Sequence, residues 1–418
     1  MKFTDFGFDE RLIEGIEASG YNDATPVQEQ VIPLVLAGKD VIASAQTGTG
    51  KTAAFLLPLI NNIISSPLNH HSITALVIVP TRELAIQIAQ HMEGLSYFTS
   101  VSSIAVYGGG DGNAFVQEKK ALSVGADVVI CTPGKMLAHI NMGYVKFQGL
   151  KYLILDEADR MLDMGFYDDI MRIIGALPAK RQNLLFSATM PQKIREMARR
   201  ILHQPEEINI SISKPNEKII QLAYVVYDTQ KIPLVKYLLL QKTFSSVLIF
   251  CSSKNSVKEL NRELKKTGLP VDEIHSDLEQ VKREEVLMHF KSGRLQILVA
   301  TDILSRGIDI DNIGLVLNYD VPHDGEDYVH RIGRTARAAA DGTAITFVSV
   351  KEQRKFGSIE KLLGKPVPKA EVPAQFGEAP AYTPSQFVPR EGGGGGSKNK
   401  NGKKPMRFNR DSTVRKPS

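Results

Sequence analysis

Short apolar runs rich in β-branched residues recur along the chain, and each is followed by a polar or Gly-rich segment and then a helical pattern. Apolar strands that alternate with helices are typical of parallel sheets covered on both faces. Five runs lie in each half of the chain, which predicts one α/β layout built twice, without a residue-level repeat. The predicted strands are Val41–Ala43, Ala75–Val79, Asp127–Cys131, Tyr152–Leu155 and Asn183–Phe186, then Val247–Phe250, Val271–Ile274, Leu295–Ala300, Leu315–Asn318 and Ala344–Val348.

Two breaks in this pattern divide the chain. The polar segment Ser211–Lys218 contains a proline and separates the two sets of strands, so we predict that it links two domains, residues 1–212 and 213–365. The remaining residues, 366–418, are rich in Pro, Gly and Lys and include the five glycines Gly392–Gly396. Such a composition cannot bury a core, which predicts a disordered tail.

The positive charge is concentrated in that tail. The net charge of the chain is +5, and residues 391–418 hold eight Lys or Arg and two acids, a net of +6, so the other 390 residues sum to −1. A basic tail favours a polyanionic partner such as nucleic acid, although a tail that only increases solubility fits the charge equally well.

Cysteine usage and hydropathy indicate the compartment. The two cysteines, Cys131 and Cys251, each end an apolar run, and neither has disulfide or zinc spacing. We therefore expect buried, reduced thiols in a cytoplasmic protein. No apolar stretch approaches the length of about 18 residues that a membrane span needs. The adjacent His70 and His71 match no metal motif and are predicted to lie in a loop.

The first predicted strand runs into AQTGTGKT and then an apolar helix, the context of a phosphate-binding loop. Backbone N–H groups of such a loop and of the helix N-terminus surround phosphates. Lys51 would reach the β- and γ-phosphates of ATP, and the Thr52 hydroxyl would bind Mg²⁺. The loop residues predicted to bind the nucleotide are Ala45, Thr47, Gly48, Thr49, Gly50, Lys51 and Thr52.

An acidic tetrapeptide, Asp156–Asp159, follows the fourth strand of the first half. A carboxylate at a strand end beside a phosphate-binding loop is placed to hold Mg²⁺, and this predicts a metal-binding role for Asp156. The next residue, Glu157, is predicted to orient and deprotonate the attacking water.

A run of arginines, HRIGRTAR at residues 330–337, lies in the second half. Transfer of a γ-phosphoryl group needs positive charge that the phosphate-binding loop alone does not supply. Arginines presented by the other domain would supply it when the cleft closes. A basic exposed helix also accounts for this run when it is taken alone.

Together these motifs, in this order over about residues 3–350, resemble the DEAD-box RNA helicase family. The resemblance implies two tandem RecA-like domains, each a mostly parallel sheet covered by helices, and an ATP-dependent RNA helicase. The short Lys/Gly tail and compact body are most similar to the bacterial RhlE-type branch. The motifs are AQTGTGKT, PTRELA (Pro80–Ala85), TPGK (Thr132–Lys135), DEAD (Asp156–Asp159), SAT (Ser187–Thr189), ATDILSRGID (Ala300–Asp309) and HRIGRTAR.

The resemblance also assigns nucleotide-site and coupling roles. Tyr21 would stack on adenine, supported by Phe3, and Gln28 would hydrogen-bond the adenine edge, although Tyr21–Pro26 alone also fits an ordinary turn. Asp309 would contact the ribose, and Arg334 and Arg337 would be the arginine fingers at the γ-phosphate. Ser187 and Thr189 would couple hydrolysis to domain movement.

The implied RNA contacts are hydroxyls, strand-end amides and arginines, which suit phosphate and 2′-OH groups rather than bases. Each residue taken singly fits a structural role equally well, and Thr132–Gly134 fits a plain turn. The implied contacts are Pro80, Thr81, Arg82, Gly108, Gly109, Thr132, Gly134, Arg283 and Thr301.

Three positions depart from the family pattern. Ala336 replaces a usual glycine, which would cost about 1 to 2 kcal/mol if the backbone there needs a positive φ. Ala24 replaces a usual proline, which should loosen the adenine loop slightly. Lys135 replaces a usual arginine, so the charge stays while the planar, two-pronged phosphate contact is lost. None of the three removes a catalytic group.

The sequence therefore predicts RNA-stimulated ATP hydrolysis coupled to local, non-processive remodelling of RNA duplexes and RNA–protein complexes. One alternative is a clamp on RNA gated by ATP, with little unwinding. Another is a P-loop kinase with a small acceptor, against which the second half has no acceptor-pocket signature. We expect a monomer.

The division of charge between the two halves is testable. Residues 1–212 alone should bind ATP and scarcely hydrolyse it, because the arginines that meet the γ-phosphate lie in the second half. Nucleotide binding and steady-state ATPase of this fragment, compared with the full chain, measure the effect. Turnover at the full-length rate would refute the requirement for those arginines.

Overall fold

A computed structural model describes residues 1–45, 48–66, 72–110, 112–210, 219–242, 244–301, 313–335 and 342–384, apart from the side chain of Glu326. The predicted linker, the paired histidines and the basic tail from residue 385 onward lie outside these ranges. None of the described helices is both long and apolar enough to cross a membrane.

The first lobe contains one sheet of seven parallel strands in the order β3-β4-β2-β5-β6-β1-β7. The strands are β1 Val41–Ser44, β2 Ala75–Ile78, β3 Ser103–Val106, β4 Val128–Cys131, β5 Tyr152–Leu155, β6 Gln182–Ser187 and β7 Glu206–Asn209.

Helices cover both faces of this sheet. Successive residues of a strand point to opposite faces, so Val41 and Ala43 join one apolar cluster and Ile42 joins the other. The double-sided burial explains why the central strands are continuous apolar runs. The helices are α1 Glu10–Ala18, α2 Pro26–Leu36, α3 Lys51–Ile64, α4 Arg82–Leu95, α5 Gly112–Val124, α6 Pro133–Asn141, α7 Ala158–Asp163, α8 Tyr167–Gly175 and α9 Gln192–Ile201, with a 3-10 turn at Phe3–Phe6.

The second lobe repeats this topology, with seven parallel strands in the order β10-β11-β9-β12-β13-β8-β14. Replacing β1–β7 by β8–β14 in the first sheet gives this order, which confirms the predicted duplication of layout. The strands are β8 Ile219–Val226, β9 Val247–Phe250, β10 Val271–Ile274, β11 Ile297–Ala300, β12 Leu315–Asn318, β13 Gly342–Ser349 and β14 Lys369–Ala370. The helices are α10 Asp228–Gln241, α11 Lys254–Lys265, α12 Gln280–Lys291, α13 Gly325–Ile332 and α14 Gln353–Leu363, with 3-10 turns at Val350–Glu352 and Ala374–Phe376.

Each sheet has two strands beyond the five predicted, and the count of five per half is corrected to seven. Three of the additions, β3, β7 and β14, are edge strands, which need an apolar residue only where they meet the core. In β7 only Ile208 of the four residues is buried. The fourth, β8, lies next to the two-residue edge strand and mixes exposed with buried positions, so its sequence is less continuously apolar.

The boundary predicted at residue 366 is also too early. Residues 366–384 pack on the second lobe: Val367 is buried, β14 pairs with β8, and the Tyr382 hydroxyl donates to Glu360 Oε2 at 2.6 Å. Gln230 Nε2 donates to the carbonyl of Phe376 at 2.8 Å. A Pro-rich composition concealed these contacts, because a few anchoring side chains are enough to hold an extended segment.

Truncation tests the contribution of this segment. A chain that ends at residue 365 should melt about 5 °C or more below one that ends at residue 384, since it loses buried apolar area and two side-chain anchors. Thermal unfolding followed by circular dichroism makes the comparison. Equal melting temperatures would show that residues 366–384 do not stabilise the fold.

Candidate active site and nucleic-acid interface

The phosphate-binding loop joins the end of β1 to the first residue of α3. Ala45 is buried at the strand end, and Gly48 and Gly50 have φ values of 81° and 92°. L-residues with side chains rarely adopt this region, so glycine suits both positions. The predicted nucleotide contact Thr47 lies outside the described residues. Thr49 lies in the loop before α3, and Thr52 is half-buried in the first turn of α3.

Lys51 closes this loop from inside. Its side chain is 6% exposed, and Nζ donates to the carbonyl oxygen of Ala45 at 2.6 Å. The ammonium group therefore lies within the loop whose backbone would surround phosphates. A phosphate oxygen placed there could accept a hydrogen bond from the same group.

Gln28 connects the predicted adenine segment to the loop. Its side chain is 1% exposed; Nε2 donates to the Gly50 carbonyl at 3.1 Å and Oε1 accepts from the Thr25 N–H at 2.9 Å. A Cβ atom at Gly50 would lie 2.5 Å from Gln28 Nε2, so glycine is needed there for close approach as well as for φ. The structure thus places Gln28 against the phosphate-binding loop.

The N-terminal segment supports Tyr21. The buried Phe3 ring meets the Tyr21 ring edge-on, with centroids 6.1 Å apart. Lys2 pairs with Asp23 at 2.8 Å, and Ala24 donates its N–H to the carbonyl of Met1 at 2.9 Å. A proline at position 24 would have no N–H to donate. The departure from the family pattern therefore adds a main-chain bond that ties this loop to the N-terminus, where loosening was predicted.

Asp156 and Glu157 follow β5 at the same sheet edge. Asp156 is 3% exposed, and burial, with the neighbouring Glu157 and Asp159 charges, raises its pKa to about 6 despite the opposing effect of Lys51. Glu157 has φ 52° and ψ 49°, a left-handed conformation that costs a residue with a side chain about 1 to 2 kcal/mol. A strained residue at the end of a central strand is a frequent feature of catalytic sites.

The Glu157 side chain is buried and only partly engaged. Within the described residues its Oε2 atom accepts no hydrogen bond, and Arg160 Nη1 lies 3.6 Å away. A buried carboxylate oxygen without a hydrogen-bond donor is energetically unfavourable. It is also available to accept a proton or to orient a water molecule.

Asp159 links the DEAD motif to the SAT motif, a role that the sequence alone does not indicate. Its N–H donates to Ser187 Oγ at 3.2 Å, and its Oδ2 atom accepts from the Thr189 N–H at 2.9 Å. The Ser187 carbonyl in turn accepts from the Ala45 N–H at 3.1 Å. The predicted coupling residues therefore lie in one hydrogen-bonded chain with the phosphate-binding loop.

The donor set at this edge fits Mg²⁺ bound together with phosphate. Mg²⁺ is usually held by one or two carboxylates plus phosphates and water. Among the described residues no group of three or more His, Cys, Asp or Glu side chains could hold a metal alone. Asp156 offers one buried carboxylate next to the lysine of the loop, which suits an ion that arrives with a nucleotide.

The second lobe has no comparable loop at the equivalent position. Strand β8 leads into α10 through the single residue Tyr227. Near the start of that helix the buried Lys231 Nζ lies 2.8 Å from Asp320 and 3.5 Å from Glu352. Asp320 lies two residues after β12, the strand that corresponds to β5 in the sheet order, so near the start of α10 a lysine and two carboxylates of the protein pair with one another.

The arginine run begins in α13 and continues beyond it. Arg331 is 1% exposed, donates to Asn318 Oδ1 at 3.1 Å and lies over the Phe250 ring at 5.0 Å. Arg334 follows the helix, is 6% exposed, and its carbonyl accepts from the Ile313 N–H at 3.1 Å. The predicted residues Arg337 and Asp309, and the atypical Ala336, lie outside the described residues. Arg331 and Arg334 are thus too buried for the exposed-helix alternative.

A groove of about 690 Å³ lies along the first lobe and reaches the second. It brings together seven of the nine predicted RNA contacts, Pro80, Thr81, Arg82, Gly108, Thr132, Gly134 and Arg283. Four basic and three acidic residues line the groove, and none of the acidic ones was predicted to lie there. The basic residues are Arg82, Lys135, Arg160 and Arg283, and the acidic residues are Glu83, Asp163 and Asp327.

Two helix N-termini open into the groove. Thr81 precedes α4 and Thr132 precedes α6, and helix N-termini attract anions. At α4 the Leu84 N–H already donates to Thr81 Oγ1 at 3.3 Å, and at α6 the first residue, Pro133, has no N–H. Gly109, the eighth predicted contact, has φ 92°, and a Cβ atom there would overlap the Arg82 guanidinium. Glycine at this position therefore lets the Arg82 guanidinium approach the backbone closely.

Thr301, the ninth predicted contact, and Arg283 differ from the other predicted contacts in their surroundings. Thr301 follows β11 and does not line the groove, and its Oγ1 atom has no hydrogen-bond partner in the described chain. Arg283 lines the groove, but its Nη1 atom donates to Glu83 of the first lobe at 3.1 Å. This ion pair joins the two lobes across the groove. The sequence does not predict it, because the two residues are far apart along the chain.

Comparison with known families gives two matches along the chain. The DEAD/DEAH box helicase family matches residues 25–197, and the helicase conserved C-terminal domain matches residues 230–339. The ATP-dependent RNA helicase CshA of Listeria monocytogenes is 44% identical over 373 residues, covering 89% of this chain and 71% of the relative. The ATP-dependent RNA helicase DbpA of Bacillus subtilis is 39% identical over 374 residues, covering 89% and 77%.

Solved structures agree with these matches. S. cerevisiae Dbp5 bound to RNA and ADP BeF3 is 31% identical with a TM-score of 0.79, covering 88% of this chain and 95% of that chain. Mss116p bound to ssRNA and AMP-PNP is 28% identical with a TM-score of 0.79, covering 90% and 80%.

The contact between Gly109 and Arg82 generates a prediction. Gly109→Ala should raise the dissociation constant for single-stranded RNA about tenfold, because it displaces the Arg82 guanidinium from the groove. Gly143→Ala is the matched control, since Gly143 has a φ of 79° and open space around its Cβ position. Fluorescence anisotropy with labelled RNA measures both. Equal effects would mean that backbone strain, and not Arg82, is responsible.

Proposed function

This chain belongs to the DEAD-box family of ATP-dependent RNA helicases, and we propose that it hydrolyses ATP at the loop between β1 and α3 while RNA lies in the adjoining groove. The observation that supports this assignment best is the continuous chain of contacts from Ala45 through Ser187 to Asp159. This chain joins the phosphate-binding loop, the SAT motif and the DEAD motif. A change at the nucleotide can therefore be transmitted through the first lobe.

Glu157 is proposed as the general base. Its strained backbone fixes the carboxylate at the strand end, and its Oε2 atom is buried without a hydrogen-bond donor in the described structure. In that position it would take a proton from the water that attacks the γ-phosphate. Asp156, the buried neighbour, is the proposed ligand of the metal that accompanies ATP.

The triphosphate would replace an internal bond of the loop. Lys51 Nζ donates to Ala45 in the structure, and phosphate oxygens would compete for the same donor. Thr52 and Asp156 would hold Mg²⁺, which supplies positive charge to the β- and γ-phosphates when bound. Tyr21 and Gln28 would bind the adenine, and Asp309 would bind the ribose.

Arg334 and Arg337 are the proposed source of the missing positive charge. They belong to the second lobe, whose own equivalent site is occupied by Lys231 and Asp320. The second lobe therefore contributes charge to the shared nucleotide instead of binding one itself. ATP and single-stranded RNA would together favour closure, and hydrolysis would remove the γ-phosphate contact and reopen the cleft.

RNA would contact the groove through its backbone. Helix N-termini, hydroxyls and arginines recognise phosphate and 2′-OH groups and carry little base specificity. The two solved relatives that hold RNA support this choice of ligand. Bending of a strand that crosses both lobes would separate short duplexes locally, without processive movement.

A clamp that grips RNA without unwinding it is the second candidate. The Glu83–Arg283 ion pair favours the clamp, because it joins the two lobes across the groove. Strand displacement on a short RNA duplex separates the two candidates. RNA-stimulated ATPase without displacement would favour the clamp.

We also propose that the chain belongs to the RhlE-type branch, is located in the cytoplasm and is a monomer. The relatives reported above are named CshA and DbpA, which gives the branch no support. Their bacterial origin is compatible with a cytoplasmic protein.

Glu157→Gln tests the catalytic assignment. It should lower RNA-stimulated ATP turnover at least about a hundredfold, because the amide cannot accept the proton. Binding of ATP and RNA should persist, so that the RNA complex is trapped. The exposed Glu14→Gln serves as control. Steady-state ATPase near the wild-type rate would exclude Glu157 as the base.

A further inference from the structure

Lys135, the lysine that replaces the usual arginine of its motif, is held from behind the groove. It lines the groove from the first turn of α6, and its Nζ atom lies 2.8 Å from Glu118 Oε2. Glu118 belongs to α5 and is not among the residues that line the groove. The side chains of Lys135 and Glu118 are 19% and 7% exposed, so the pair is largely shielded from water.

The Glu118 carboxylate is fixed by a second partner. His139 Nε2 lies 3.1 Å from the same Oε2 atom, and its Nδ1 atom contacts the Tyr144 hydroxyl. The His139 ring is fully buried and stacks on Phe115 with centroids 5.3 Å apart. Burial lowers the pKa of His139, which favours the neutral ring. The neutral tautomer that fits both contacts has Nε2–H donating to the carboxylate and Nδ1 accepting from the Tyr144 hydroxyl.

This arrangement restricts the ammonium group of Lys135. A buried carboxylate that loses its cation keeps an uncompensated charge, which is costly, so Lys135 cannot swing freely away from Glu118. The Phe115 ring, with its centroid 5.3 Å from Nζ, provides a second attraction. An ammonium group has three N–H donors, and those not used by Glu118 remain for a phosphate oxygen.

We propose that Glu118 is a positioning residue for RNA binding, which acts through Lys135 and is itself oriented by His139 and Tyr144. The inference rests on the proposed function, because it requires RNA phosphates in the groove. Lys135 touches the RNA, and Glu118 keeps its ammonium group at the groove wall before RNA arrives. Less side-chain entropy is then lost on binding than with a free lysine.

A double-mutant cycle on the full chain tests this role. The dissociation constant of a labelled single-stranded RNA, measured with a non-hydrolysable ATP analogue, should rise about fivefold in Glu118→Ala and about twentyfold in Lys135→Ala. The double variant should bind no more weakly than Lys135→Ala alone, because the single lysine variant leaves an uncompensated carboxylate near the phosphates.

A conservative variant keeps the test informative if Glu118→Ala does not fold. Glu118→Gln retains an oxygen that can accept from Lys135, so it should bind RNA within about twofold of wild type. In the Lys135→Ala background the same change should lower the dissociation constant, since it removes the uncompensated charge. A purely structural role for Glu118 would not produce this reversal of sign. Glu93→Ala, which removes an exposed carboxylate from α4, is the matched control and should leave RNA affinity unchanged.

The results separate this inference from the function on which it rests. Wild-type affinity in Lys135→Ala would show that Lys135 does not contact RNA, which overturns the positioning role of Glu118 and leaves the proposed function standing. A weakened Lys135→Ala with independent effects, so that the double variant loses about a hundredfold, would overturn only the positioning role of Glu118.

Discussion

The charge of a bound triphosphate is the constraint on which this architecture depends. One lobe surrounds the phosphates with backbone N–H groups and one lysine, and this is insufficient for the charge that develops on the γ-phosphoryl group. The second lobe repeats the same sheet order but has one residue, Tyr227, where the first has a loop. In the second lobe Lys231 pairs with Asp320, which supports the proposal that the two lobes share a single nucleotide.

The central strands and the nucleotide loop could be predicted because their signals are contiguous in sequence. A run such as Val247–Phe250 is apolar because both faces of the sheet are covered, and AQTGTGKT carries its glycines, lysine and threonine within eight residues. Edge strands such as Glu206–Asn209 bury one residue and give no such run. The segment 366–384 was missed because its few anchors are dispersed in a Pro-rich stretch.

Contacts between distant residues could not be predicted in the same way. Asp159 meets Ser187 and Thr189, Lys135 meets Glu118, and Glu83 meets Arg283 only after the chain has folded. Each pair joins two elements whose relative position depends on packing and not on local pattern. Motif resemblance located one or both partners of most of these contacts, but not the bonds between them.

The groove shows why such bonds matter for affinity. Its four basic and three acidic lining residues leave a net charge of only +1, so the lining by itself would attract RNA weakly. If RNA binds in this groove, as we propose, its affinity would depend on where each cation lies: Arg82 against Gly109, Arg283 beside Glu83 and Lys135 against Glu118. The positions of these cations, which the folded chain fixes, would then matter more for RNA affinity than the net charge of the groove. The same principle applies at the nucleotide, where arginines act only if they reach the terminal phosphate.

The most direct test is an experimental structure of the full chain with RNA, Mg²⁺ and a transition-state mimic of the γ-phosphoryl group. If the two lobes share one nucleotide, guanidinium nitrogens of Arg334 and Arg337 should lie within hydrogen-bonding distance of that group, about 3 Å. If both guanidinium groups lie far from the mimic while RNA occupies the groove, the shared-site account is contradicted.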